Sequence, residues 1–183
     1  MSPLRSVTVE TPVGDFHIII DTAEIARASG FGTLANLTAW LPEDVRSMAI
    51  ESIDNHKYAT LVQAYFRGDR TALDTIPRTQ PGTEFQKACW HAIGTVPFGH
   101  TISYKQLANI AGKPAAIRAA GTICGKNRLA LLIPCHRILK SDGSVGSYLY
   151  GSDIKEELLK HEQNFLSTDT TTDKFRQRIT EQS

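Results

Sequence analysis

Acidic residues are missing from the middle of this chain: from Phe85 to Ser141 there is no aspartate or glutamate. The same stretch carries Lys87, Lys105, Lys113, Arg118, Lys126, Arg128, Arg137 and Lys140, while the whole 183-residue chain has a formal net charge of only +1. The remainder is therefore acidic, and the average conceals a basic lobe of the kind that faces a polyanion. A solvated face with chance charge bias is the plainer alternative. Cysteine is scarce as well. Cys89, Cys124 and Cys135 are an odd number with no CxxC pair, which disfavours a disulfide scaffold and points to a reducing, intracellular setting. No second cysteine or His-x3-His pattern has metal-ligand spacing, so no metal is expected. No apolar run reaches the ~18–20 residues that span a bilayer. The first residues, Met1 to Arg5, lack the apolar core of a secretory signal, and no membrane partner is expected. No internal repeat is visible.

What is present divides the chain unevenly. Val7, Val9 and Thr11 alternate, Val13-Gly14-Asp15 turns, and Phe16 to Ile20 returns as a β-branched run, so residues 6–20 read as a hairpin. Asp44 to Ile53 is weakly helical, and Tyr58 to Phe66 is a clearer helix stopped by Gly68. Arg70 to Gly82, with two prolines and several threonines, reads as a linker. From Thr83 the helical spacing sharpens through Phe85, Ala88, Cys89, Ala92 and Ile93, and ends at Pro97-Phe98-Gly99. Ser103 can cap a helix over Tyr104 to Ala111, and Pro114 suits the start of another over Ala115 to Cys124. Two helices joined so closely make a helix-turn-helix. The second has a small-residue surface, Ala115, Ala116, Ala119, Ala120, Gly121 and Thr122, with Arg118 as its one long side chain. Such a surface lets a backbone approach a partner closely, or pack tightly on its own core. A last helix, Asp153 to Asn164, has Ser152 as its expected cap. The chain beyond Ser167 reads as disordered.

Pro134-Cys135-His136-Arg137 ends the apolar run Leu129 to Ile133, which reads as a buried strand or core segment. Burying a thiol, an imidazole and a guanidinium without partners costs several kcal/mol. A free cysteine has a pKa near ~8.5, and making it mostly thiolate at neutral pH takes about 2–3 kcal/mol. Two neighbouring cations are one way to supply that. His136 is the obvious base, but adjacent residues on an extended chain face opposite ways; a bridging water or a sharp turn is required. Asp142, Asp153, Glu156, Glu157 and Glu162 are the downstream acids that could orient it, with Glu162 beside His161 on the last helix. The competing reading of Cys135 is an inert buried thiol. Cys89 and Cys124 lie on apolar helical faces and read as core.

These residues resemble a known family. Ile133-Pro134-Cys135-His136-Arg137-Ile138 is similar to the active-site signature of the O6-alkylguanine-DNA alkyltransferases. Ile102 to Ala108 resembles that family's first helix of the DNA-binding pair, and Arg118-Ala119-Ala120-Gly121 its recognition helix. Asn127 stands at its hinge asparagine, Gly146 to Gly151 resembles the active-site loop, and Leu158-Leu159-Lys160-His161-Glu162 the helix with its glutamate. The likeness runs from about Thr83 to Phe165.

The resemblance implies an α/β (α+β) protein. Residues 1–78 would form a small ribonuclease-H-like α/β lobe and linker. Residues 79–167 would form a mainly helical DNA-binding and alkyl-acceptor domain with the helix-turn-helix, and 168–183 the tail. It implies repair of double-stranded DNA by irreversible, single-turnover transfer of an alkyl group from an extruded O6-alkylguanine to Cys135, with O4-alkylthymine as a further substrate, and no cofactor. His136 would act through a water, oriented by Glu162. Asn127, Tyr104 and Lys155 would complete the catalytic set. Arg118 would fill the gap in the base stack, from a helix that in this family enters the minor groove. Ser103, Tyr104, Lys105, Ala119, Ala120, Gly121, Thr122, Lys126 and Arg128 would meet DNA. Pro134, Ile138, Tyr148, Leu149 and Tyr150 would line the pocket, and the carbonyls of Cys135 and Ile138 would accept from the guanine amine. The protein would be a monomer able to bind side by side on DNA, in the nucleus of a eukaryote or the cytoplasm and nucleoid of a prokaryote.

Three departures stand out. Arg128 follows the hinge asparagine where many relatives have proline. Leu149 replaces a hydroxyl residue. Tyr150 replaces a small one, which narrows the pocket against bulky adducts. A non-catalytic lesion-binding relative, of the kind that lacks the acceptor cysteine, is one alternative; a cysteine hydrolase acting on an acyl group is another.

Overall fold

Alternating apolar residues fold the first part of the chain into a mixed sheet. The computed structural model describes residues 3–166. The tail read as disordered therefore lies outside the described residues. Strands β1 (Leu4–Thr11) and β2 (Gly14–Ile20) form the expected hairpin, with Val9 opposite Phe16. Two further strands join it: β3 (Ala26–Phe31), antiparallel to β2, and β4 (Ile50–Ser52), parallel to β1, in the order β3-β2-β1-β4. Helices α1 (Leu34–Thr38) and α2 (Glu43–Arg46) are short, and α3 (Lys57–Phe66) packs against β1. Leu37, Leu41 and Val45 cover Leu4, Ile19 and Ala28 in one apolar cluster. Burying such side chains stabilises by about 1.5–3 kcal/mol each.

Two expectations about this region change, and a third is decided between its alternatives. Asp44 to Ile53 is not one helix; it is a single helical turn followed by β4, whose three residues are too few to show alternation. Arg70 to Gly82 is not a loose linker. Ala72, Leu73 and Ile76 are buried, and Arg78 donates to the carbonyls of Leu73, Ile76 and Leu132. The apolar run at Leu129, read as a buried strand or core segment, is the latter: it is buried but is not a regular strand. Ser29 and Leu129 form an isolated bridge, Ser29 Oγ donates to the Ala130 carbonyl at 2.7 Å, and Leu131 takes a left-handed φ of 69°. That conformation costs a branched residue roughly 1–2 kcal/mol, offset here by burial of Leu129, Leu131 and Leu132.

The chain accordingly divides at Pro81, with Arg128–Leu132 belonging to the first unit and Gly82–Asn127 and the chain from Ile133 forming the second. In the second unit α4 (Glu84–Gly94) begins with a Thr83–Gln86 capping box and ends before Pro97. Strand β5 (Ile102–Ser103) leads into α5 (Tyr104–Ile110), started by a Ser103–Gln106 capping box, and each such box satisfies two otherwise orphaned N–H groups. Helix α6 (Ile117–Gly125) follows, two residues later than Pro114 suggested and with no side-chain cap. A 3-10 turn at Cys135–Arg137 feeds β6 (Ile138–Leu139), which pairs parallel to β5. The final helix, α7 (Ser152–Asn164), starts at Ser152 itself; its cap position is Gly151, without a side-chain cap bond. Ile93, Ile102, Leu107, Ala120, Ile123, Cys135 and Ile138 share one core cluster.

Candidate active site

The pairing of β6 with β5 fixes the 3-10 turn against the start of α5, with Ile102 opposite Ile138. A tight turn, not an extended strand, is therefore what separates Cys135 from His136. Asn127 holds the turn from the other side: its Nδ2 donates to the Ile133 carbonyl at 2.9 Å and to Cys135 Sγ at 3.2 Å. On α7, Lys155, Leu158 and Glu162 are the buried residues, spaced along one inner face. Glu162 is 1% exposed and receives His136 Nε2 at 2.8 Å, Arg137 Nε at 2.9 Å, Arg137 Nη2 at 2.8 Å and the Gly99 N–H at 3.1 Å. Lys155 Nζ donates to the Ile138 carbonyl at 2.7 Å and lies 5.8 Å from the centre of the Tyr104 ring.

Burial dominates the electrostatics. It pushes the Cys135 thiol upward, against the Asn127 bond and the Lys155 charge. Cys135 is thus a neutral thiol at rest, not the preformed thiolate that two neighbouring cations suggested. Arg137 does not serve the sulfur, because its charge is committed to Glu162. Burial likewise pushes the His136 imidazole down, opposed by Glu162 and assisted by Arg137 and Lys155. Burial alone would raise Glu162, but the charges and hydrogen bonds of His136 and Arg137 hold it well below the ordinary carboxylate range. With His136 neutral, the permanent charge of Arg137 still keeps that carboxylate ionised. His136 Nδ1 is sealed from solvent and makes no hydrogen bond among the described residues. The arrangement is a thiol without its own base contact, an imidazole with one ring nitrogen engaged by a carboxylate, and a sealed acceptor nitrogen. It can take a proton from sulfur as the sulfur attacks.

Tyr104 links this chemistry to the outer surface. A Cβ at Gly121 on α6 would stand 3.8 Å from its ring, and one at Gly146 would stand 3.5 Å from its hydroxyl. Tyr104 therefore lies in ordinary contact range of both segments. Burial first, then Cys124 and Cys135, pushes the Tyr104 hydroxyl up to about 12, so it stays protonated. The rings of Tyr148 and Tyr150 meet edge-on at 5.7 Å, and burial together with Cys135 raises Tyr150. Leu149 between them is exposed.

Cys135, His136, Glu162, Asn127, Tyr104 and Lys155 thus lie in one connected site. Arg118, Ala119, Thr122, Lys105 and Lys126 are exposed, and Gly121 is half-buried beneath Tyr104. Ala120 is not on the surface: it is fully buried with Ile123 one turn on, the inner face of α6. Ser103 spends its hydroxyl as the α5 cap. Arg128 falls in the first unit, where its N–H donates to Gln80. Ile138 and Pro134 are buried, and Ile138 offers a pocket only its carbonyl, already bonded to Lys155. Arg137 was legible only as a cation near the sulfur, and its pairing with Glu162 was missed. The signal was present: an inner face on α7 carrying Glu162 requires a buried cation opposite. Cys89 is fully buried in the core and Cys124 half-buried. Among the described residues no group of three or more His, Cys, Asp or Glu side chains could hold a metal, and no helix is long and apolar enough to cross a membrane.

A family model for the 6-O-methylguanine DNA methyltransferase DNA-binding domain matches residues 84–164. The methylated-DNA–protein-cysteine methyltransferase of Shigella flexneri is 39% identical over 166 residues, covering 88% of this chain and 97% of that protein. That of Methanosarcina barkeri is 43% identical over 118 residues, 62% of this chain and 74% of its own length. Mycobacterium tuberculosis OGT, solved in complex with DNA, superposes with a TM-score of 0.74 at 25% identity, covering 91% of this chain and 98% of that one. The chain belongs to the methylated-DNA–protein-cysteine methyltransferase family.

Proposed function

We propose that this protein repairs O6-alkylguanine in duplex DNA by taking the alkyl group onto Cys135, once per molecule. The observation that carries this reading is the buried set of Asn127, Cys135, His136 and Glu162, whose first three members lie in the stretch from Phe85 to Ser141 that holds no acidic side chain. The names and the DNA complex of its relatives agree with it. A guanine O6 within the stack is out of reach of a buried sulfur, so the nucleotide must be extruded, at a cost of a few kcal/mol that is least for a damaged base. Arg118, exposed on α6, would occupy the vacancy from the minor groove. Lys105 and Lys126 would meet phosphates, and such contacts make binding salt-dependent and nearly blind to sequence.

In the pocket, Tyr148 would wall the base and Tyr104 would hydrogen-bond it as a neutral hydroxyl. The Cys135 proton passes through a bridging water to His136 Nδ1. The S–C bond forms as the C–O6 bond breaks, and the bonding pair leaves with the guanine, which takes up a proton from water, while the proton given up by Cys135 rests on His136 and later returns to solvent. Glu162 steadies the imidazolium that results. The thioether has no leaving group, so the protein is spent. No cofactor enters this scheme. Side-by-side occupancy of one duplex by monomers is compatible with single-use chemistry, and analytical ultracentrifugation on duplexes of increasing length measures it.

Incubation with duplex DNA carrying radiolabelled O6-methylguanine tests the reading. One label per protein should move to Cys135, and Cys135→Ser should bind without transfer. Lesion binding by the wild type without label on the protein would instead make it a non-catalytic damage sensor.

A further inference from the structure

Arg137 makes more contacts to the site's carboxylate than His136 does, yet the transfer reaction as described gives it nothing to do. Its Nε reaches both Glu162 oxygens at 3.2 and 2.9 Å, Nη2 reaches Oε1 at 2.8 Å, and Nη1 donates to the Val96 carbonyl at 2.7 Å. The guanidinium is covered by Phe98, whose ring centre lies 5.9 Å away. This is a clamp: a planar fork bonded to one carboxylate and anchored to backbone behind it.

We propose that Arg137 is a positioning residue for the alkyl-transfer reaction, fixing Glu162 so that His136 keeps its proton on Nε2 and presents Nδ1 as the acceptor. This rests on the reading of Cys135 as the alkyl acceptor. Glu162 in its ionised form only accepts, so the nitrogen facing it must donate. A carboxylate held by Arg137 at two points is also a poor proton acceptor. The proton that reaches His136 therefore stays on the ring instead of passing on to Glu162. Without the clamp Glu162 is freer to move and more basic, and His136 faces a carboxylate whose charge only Lys155 still offsets. Its affinity for a proton then rises, and the ring is protonated at a pH where it should be an empty base.

The charged and titratable groups around His136 are few. Glu162 and Lys155 face it from α7, and Arg137 and Cys135 lie in its own turn. His100, on the segment before β5, directs Nδ1 to the Phe98 carbonyl, and His161 packs against the rings of Phe98 and Phe165. Arg137 and Lys155 are thus the cations that offset Glu162 at the imidazole.

Two variants test this, Arg137→Gln and Arg137→Lys, each in the full chain and checked by thermal melting. Two readouts are taken: single-turnover methyl transfer from pH 5.5 to 9, and 15N NMR of histidine-labelled protein without DNA. The wild type should show His136 neutral at pH 7 with the proton on Nε2. Arg137→Gln should slow transfer by about tenfold or more, and should move both the acidic limb of the rate profile and the His136 titration upward by about one pH unit. Arg137→Lys keeps the charge but cannot span two oxygens and the Val96 carbonyl. It should leave the titration near the wild-type pH, mix the two tautomers and slow transfer severalfold. If Arg137→Gln does not fold, the lysine variant decides alone. Folded variants with wild-type nitrogen shifts and a wild-type pH profile, even at reduced rate, would reduce Arg137 to a structural residue and overturn the proposal. If the wild type transfers nothing, the alkyl-transfer reading fails, and the 15N readout still judges the clamp.

Discussion

Two surfaces of the second unit, only a helix apart, are built on opposite principles. Around Cys135 the groups that hold or move protons are buried: Asn127, His136, Lys155 and Glu162 are each no more than 3% exposed. Each depends on a specific partner, because the cost of an unpaired buried group is high. On α6, Arg118, Ala119 and Thr122 stand in solvent, and Arg118 takes part in no ion pair among those described. The difference separates two tasks. Burial shifts proton affinities and so makes chemistry. Exposure leaves an unpaired cation and a small-residue backbone available to a phosphate-rich partner.

The sharpest way to break this contrast is Glu162→Gln. It leaves the Arg137 charge buried without a counterion, which costs on the order of 3–5 kcal/mol of stability, and it should slow transfer by about 10²–10⁴-fold. Urea unfolding and single-turnover kinetics measure the two effects. Unchanged stability would mean that the buried cluster is not a dependent unit.

Arg118→Ala should behave the other way. Stability should stay within roughly 0.5 kcal/mol of the wild type. Transfer from duplex DNA should fall by about 10–100-fold, the equivalent of a lost filler for an unstacked base. Transfer from the free base O6-benzylguanine should hardly change, since nothing is extruded. Equal losses on both substrates would place Arg118 in the chemistry.

The pocket rim gives a smaller effect. Tyr150 should make benzyl transfer slower than methyl transfer on matched duplexes. Tyr150→Gly should narrow the gap by about tenfold, the scale of a modest steric term. Equal methyl and benzyl rates in the wild type would remove Tyr150 from specificity.

Acidity gives the mildest and broadest effect. His136 is depressed in the fold, so the unfolded chain binds a proton there first as pH falls below about 6.5. Glu162 is also depressed, so the unfolded chain gains a second proton below about 4.3. Both differences have the same sign, and stability should decline on acidification in those two windows. The transfer rate should stay level from neutral pH down to below 6.5, because His136 remains a neutral base there. Its alkaline side should show no loss, since burial keeps the Cys135 thiol protonated well past neutrality and ionising it only adds nucleophile. Chemical denaturation at several pH values and a rate profile check both.

How far these features could be read from the chain depended on their range. The hairpin was visible because Val7, Val9 and Phe16 to Ile20 carry a local period. Strand β3 and α1 were not seen, and β4 was taken for helix, because pairing with distant residues defines them and not their own pattern. The run at Leu129 could be a buried strand or a core segment by composition. Its left-handed Leu131 and its attachment to Ser29 are tertiary facts that decide for the core segment. At the site, the residues themselves pointed to Cys135, His136 and, among several acids, Glu162, and the resemblance added Asn127. It could not supply the protonation state of the sulfur, which burial sets, nor the inward turn of Ala120, nor the commitment of Arg137 to Glu162. Those depend on which side chains share a closed space.

The account stands or falls on the fate of one thiol. Tandem mass spectrometry of the protein after exposure to a duplex bearing O6-methylguanine should show a single methyl group on the peptide containing Cys135, with guanine restored in the DNA. An unmodified Cys135 beside repaired DNA, or a methyl group on Cys89 or Cys124 instead, would contradict it.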